Sequence, residues 1–233
     1  MAERAQAGSP VPPDLLAAVG RGLGPVKPLA SPARRVLALL PLGLILLVAI
    51  PAFWGLRANF SSLGFAAAWG LSGLQALAGL LIVGLALREA VPGRELSAVA
   101  VAVTIGAAAA LFVGLTLVTE RLLPAAVPPG IWGRYAWECF WMAALSSVPG
   151  LAAAAWLAAR ALPTRPAVAG AIYGLGAGLM ADAGVRLFCW VSAPAHVLIA
   201  HGGAILLLVA AGAGAATALE RLKAKRGTRT PTD

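Results

Sequence analysis

Cysteine and histidine are scarce in this chain of 233 residues, which has two of each: Cys139 and Cys189, His196 and His201. Two thiols exclude a disulfide framework and a four-thiolate zinc site, leaving at most one bridge or half of a metal site. Charge is sparse too, at 12% of residues, where soluble domains carry about 25%. No HExxH, GxSxG or CxxC arrangement occurs, and no apolar run carries a pair of carboxylates. The common signatures of metallopeptidase, serine-hydrolase and thiol-oxidoreductase chemistry are therefore missing, and neither catalytic residues nor a cofactor are expected.

Apolar residues are abundant, at 60% hydrophobic with a mean hydropathy of +0.86. Six continuous apolar runs of about 20 residues, the length a bilayer requires, fall at 36–54, 62–87, 96–118, 139–157, 167–188 and 196–219. They are unbroken rather than alternating, which excludes barrel strands. The expected fold is an all-α integral membrane protein, a six-transmembrane-helix bundle with short tails: residues 1–35, then the bundle at 36–219, then a basic tail at 220–233. The first run begins too far into the chain for a cleavable secretory signal.

The formal net charge is +9, but the basic residues sit at the ends of apolar runs rather than in a patch interleaved with stacking aromatics. They therefore point to membrane orientation rather than to direct nucleic-acid binding. Fourteen of the 18 Lys and Arg lie in the two tails and in the loops around Arg88 and Arg160, and the other four are Arg57, Arg121, Arg134 and Arg186. This bias places both termini in the cytoplasm. It puts Cys139 and Cys189 together at the opposite face, level with an aromatic belt of Trp132, Tyr135, Trp137, Trp141 and Trp190.

The run 167–188 is the most informative. Gly170, Gly174 and Gly178 recur every fourth residue, a spacing that lets a neighbouring helix approach closely in lipid. Asp182 and Arg186 continue the spacing and are expected to form an intramembrane ion pair. A step of four overshoots one turn by about 40°, so the stripe rotates and can serve two neighbours. In the run 139–157, Ser146, Ser147, Pro149 and Gly150 predict a bend.

Cys139 opens the fourth run and Cys189 closes the fifth, so two consecutive antiparallel helices bring the thiols near one another. A bridge, a pair of inert buried thiols, or a thiolate and imidazole site for a soft metal ion using His196, His201 and Glu138 all fit that placement. In the N-terminal tail Asp14 can cap a short helix with Leu15, Leu16, Val19 and Leu23 on one face, ended by Gly24 and Pro25. That face suits a lipid surface and a soluble partner equally. The remaining loops are short, so this tail is the one segment suited to holding a cytosolic protein.

Several of these segments resemble the NrsF-type bacterial anti-sigma factors, six-span regulators of the inner membrane. The matching residues are Gly24-Pro25-Val26-Lys27-Pro28-Leu29 with Ser31-Pro32 and Arg34-Arg35, Pro92-Gly93-Arg94, Cys139, and the stretch from Leu162 to Ala171 leading through the glycine stripe to Cys189. The chain departs from the family pattern at Phe188, where a histidine often stands, and at Trp190-Val191-Ser192, where an acidic proline-containing turn often follows. A metal role resting on those groups is therefore not carried over.

The resemblance implies that the tail, through Leu15, Leu16, Val19, Leu23, Val26 and Lys27, sequesters an extracytoplasmic-function sigma factor. It also implies that Cys139 and Cys189 take part in sensing a stress or metal signal. Two other classes stay open on the residues alone: a small polytopic transporter using Asp182 and Arg186, and a structural subunit of a membrane complex.

Overall fold

The computed structural model describes residues 30–124, 132–158, 161 and 163–227, together with positions 14, 17 and 20. Among these there is no β-strand, and six helices are long and apolar enough to cross a membrane. They are α1 (Pro32–Trp54), α2 (Phe65–Glu89), α3 (Ala98–Leu122), α4 (Gly133–Ala158), α5 (Pro166–Phe188) and α6 (Pro194–Lys225). Asp14, Ala17 and Gly20 are helical and exposed, whereas Leu15, Leu16, Val19, Leu23, Val26 and Lys27 lie outside the described residues.

Local chemistry sets the helix starts. The Ser31 hydroxyl accepts the Arg34 amide at 3.4 Å and Ser97 accepts that of Ala100 at 3.1 Å, while proline occupies the first turn of α1, α5 and α6. Two boundaries differ most from the hydropathy reading. α4 begins at Gly133, so Cys139 lies within it rather than opening it. Its first turns carry Arg134 and Glu138, paired at 2.9 Å, and a helix supported by such a pair continues beyond the point where hydropathy falls. For the same reason α6 runs on to Lys225, supported by Glu220 and Lys223 at 2.6 Å. The expected bend in α4 falls at Ser147, which interrupts the helix and whose hydroxyl donates to the Ala143 carbonyl at 2.7 Å.

α5 is the axis of the bundle. Its most apolar stretch is 83% buried within the protein, against 17% for α3. α6 runs antiparallel along one side, with Gly170 on Gly212, Gly174 on Leu208 and Gly178 on Ile205. A Cβ added at Gly174 would collide with the Leu208 carbonyl. On another side Gly79 of α2 and Gly176 meet so closely that a Cβ on either would lie 2.7 Å from the other's carbonyl oxygen. α1 runs parallel to α5 and places Gly43 against Met180, and Leu46 and Ile50 against Gly184. Thus Gly170, Gly174 and Gly178 all face one neighbour, α6. The second and third neighbours use Gly176 and Gly184, which lie off that stripe.

The end of the bundle bearing residue 30 is fastened by two buried charged groups. Arg35 donates to the Leu87 carbonyl at 2.9 Å and the Leu157 carbonyl at 3.2 Å, at the C-terminal ends of α2 and α4, where helix dipoles favour a cation. Glu89, fully buried, accepts two hydrogen bonds from Arg165 at 2.9 Å each and one from the Leu96 amide at 2.6 Å. The loops following α2 and α4 are thereby tied together.

Candidate functional site

The opposite end of α5 carries a buried polar cluster. Asp182, fully buried, accepts from Gln75 of α2 at 2.7 Å, from Arg186 at 3.0 Å and from His201 Nδ1 of α6 at 2.6 Å. Arg186 also donates to Thr116 of α3 at 2.9 Å and lies 4.8 Å above the Phe112 ring centre. The Asp182–Arg186 pair therefore gathers four helices. Arg186 balances the charge of Asp182. With Nδ1 of His201 held on Asp182, the other ring nitrogen, Nε2, is buried without a hydrogen-bond partner.

Beyond His201 lie the two thiols. Cys139 Sγ is 3.5 Å from Cys189 Sγ, and Cys189 Sγ is 3.4 Å from His196 Nε2. One ligand atom from each of Cys139, Cys189, His196 and His201 falls within 4.8 Å of the others, and all four residues are buried. Cys189 directly follows α5, whose last turn holds its amide on the Val185 carbonyl at 2.7 Å. Arg57, in the loop after α1, fixes the segment that follows by donating to the Ser192 hydroxyl at 2.8 Å and the Trp190 carbonyl at 3.3 Å. Burial lowers the pKa of this guanidinium from its ordinary value.

The two histidines converge through a π-helical turn at Val197–His201. In an α-helix, residues five apart point about 140° away from each other. The wider turn closes over five residues, and it sets the two imidazoles 5.5 Å apart, centre to centre. Beside Cys189 and His201 a void of about 20 Å³ is lined by Arg57, Thr116, Thr119, Arg186 and Ser192 among others. That is room for one water molecule.

Of the residues singled out in the sequence, Cys139, Cys189, His196, His201, Asp182 and Arg186 meet in this one region. Glu138 does not join them; it is half exposed and paired with Arg134. Gln75, Thr116 and Arg57 were not legible as site residues. Gln75 alone carries a signal, as a lone amide in a glycine- and leucine-rich run. Chemically, the cluster offers thiol oxidation or capture of a soft cation. Among the described residues it holds no second carboxylate with which Asp182 could pair.

Among the described residues, six helices long and apolar enough to cross a membrane enclose a buried thiol and imidazole cluster. The chain belongs to the family described as NrsF, negative regulator of sigma F, whose family model matches residues 19–221. That is a family of regulators, not of enzymes. No curated protein and no solved structure matches the chain.

Proposed function

We propose that this chain is a bacterial inner-membrane anti-sigma factor that holds an extracytoplasmic-function sigma factor through residues 1–35, with both termini in the cytoplasm. An envelope stress or metal signal reaching Cys139 and Cys189 releases the partner. The family match supports the sigma-factor partner. The observation that carries the mechanism is the placement of the cluster. Cys189 directly follows α5, Asp182 lies on it, and between the two Gly184 packs on Leu46 and Ile50 of α1, the helix into which the tail leads. A change in the thiols repacks α5, and α1 is the neighbour through which the change reaches residues 1–35. Linkage of this kind is typically worth about 1 to 3 kcal/mol, or roughly 5- to 150-fold in affinity.

Asp182 argues against the transporter reading, because three donors already occupy its two oxygens. A carboxylate that carries a proton or ion must be able to give up such partners. The test is capture of sigma factors from solubilised membranes by the full-length chain and by a chain lacking residues 1–35. The full chain is expected to retain a sigma factor and the shortened one to lose it; a full chain that retains none overturns the proposal. In the same assay a Cys139→Ser, Cys189→Ser double variant is expected to hold the partner but fail to release it under stress.

A further inference from the structure

We infer that Cys139, Cys189, His196 and His201 form a tetrahedral site for one divalent d¹⁰ cation, with zinc the expected resident, in which Asp182 orients His201. The inference rests on the reading of the thiols as the sensing group and names the ligand they sense with.

Three observations converge on it. The first is spacing. With metal–sulfur bonds of about 2.3 Å and metal–nitrogen bonds of about 2.0 to 2.1 Å, a tetrahedral S₂N₂ site separates its sulfurs by about 3.8 Å and sulfur from nitrogen by about 3.5 Å. The structure has 3.5 Å between the sulfurs and 3.4 Å from Cys189 Sγ to His196 Nε2. The four donors are thus already gathered, and small side-chain shifts complete the tetrahedron.

The second is the unclaimed nitrogen. His201 gives Nδ1 to Asp182 at 2.6 Å, and its Nε2 is buried with no partner. A buried imidazole nitrogen left unpaired is costly, and a carboxylate on the far nitrogen is the usual device for turning a histidine toward a metal. A disulfide between Cys139 and Cys189 would leave this arrangement, and His196 beside it, without a purpose.

The third is charge. Asp182 and Arg186 neutralise each other, so a divalent ion held by two thiolates and two neutral imidazoles adds no net charge to a buried site. Soft thiolates with imidazoles in tetrahedral array select zinc-like ions over magnesium or calcium.

The experiment uses the full-length chain in detergent with its thiols kept reduced. It is stripped with a chelator and reloaded with zinc or with cobalt(II), zinc content being read by elemental analysis and coordination by visible absorption. One zinc per chain is expected. The cobalt form should show intense tetrahedral d–d bands and a thiolate-to-cobalt charge-transfer band, which disappears in the Cys139→Ser, Cys189→Ser variant. Asp182→Asn, which alters a positioning residue and removes no ligand, is expected to keep the tetrahedral bands while weakening affinity 10- to 100-fold.

Sub-stoichiometric zinc with a weak octahedral cobalt spectrum in the unaltered chain overturns the site. So does an unchanged cobalt spectrum in the double variant. Sigma-factor capture measured on the same preparation separates the two proposals: capture without metal overturns the site alone, and metal without capture overturns the anti-sigma reading alone.

Discussion

Asp182 shows what a single residue in this chain reveals by itself and what it conceals. Its pairing with Arg186 was legible, because residues four apart share a helical face whatever surrounds them. Its bonds to Gln75 and His201 were not legible, because they depend on which helices become neighbours. The same limit hid the pairing of Glu89, fully buried, with the part-exposed Arg165. Removing one partner of a fully buried pair typically costs about 3 to 5 kcal/mol. Arg165 is 39% exposed, so Arg165→Ala is expected to lower stability by about 2 to 3 kcal/mol, measured by thermal unfolding in detergent, with much of the loss recovered in a Glu89→Gln, Arg165→Ala double variant. The cysteines give a second prediction at this scale. Both are about 95% buried, with 4% and 5% of their surfaces exposed, so a bulky maleimide should label them slowly in the native protein and rapidly once it is unfolded, as mass spectrometry would show.

Among the elements, α5 was the most readable. A glycine every fourth residue in an apolar run specifies a close helix contact without naming the partner, and the structure supplies α6. Gly174→Leu is expected to lower stability by about 1 to 3 kcal/mol through overpacking, because the Leu208 backbone occupies the space a side chain needs. Gly214→Leu is the control, having nothing within 4 Å of an added Cβ, and should leave the unfolding temperature nearly unchanged. Helix ends were less readable, since hydropathy falls at the first charges whereas hydrogen bonding carries α4 and α6 several residues further. The π turn at Val197–His201 was not readable at all. It has no compositional mark, and without it His196 and His201 lie on different faces.

For the whole molecule, six apolar runs were sufficient to give the number and order of the membrane-length helices among the described residues, and the distribution of Lys and Arg gave an expected orientation. Reporters fused at the two termini are expected to give the same-side signal, and one placed in the loop at 189–193 the opposite signal. Which helix lies at the centre was not evident, since every run is apolar; burial alone distinguishes α5 from α3. The π turn also sets together two histidines at a spacing of five residues. Ligand pairs on a helix are usually sought three or four residues apart, and a search at those intervals passes over His196 and His201. A relative with one residue fewer between its histidines, in an unbroken α-helix, would present the same pair to the same thiols, so a single-residue gap in an alignment at this point would mark an equivalent site rather than a lost one.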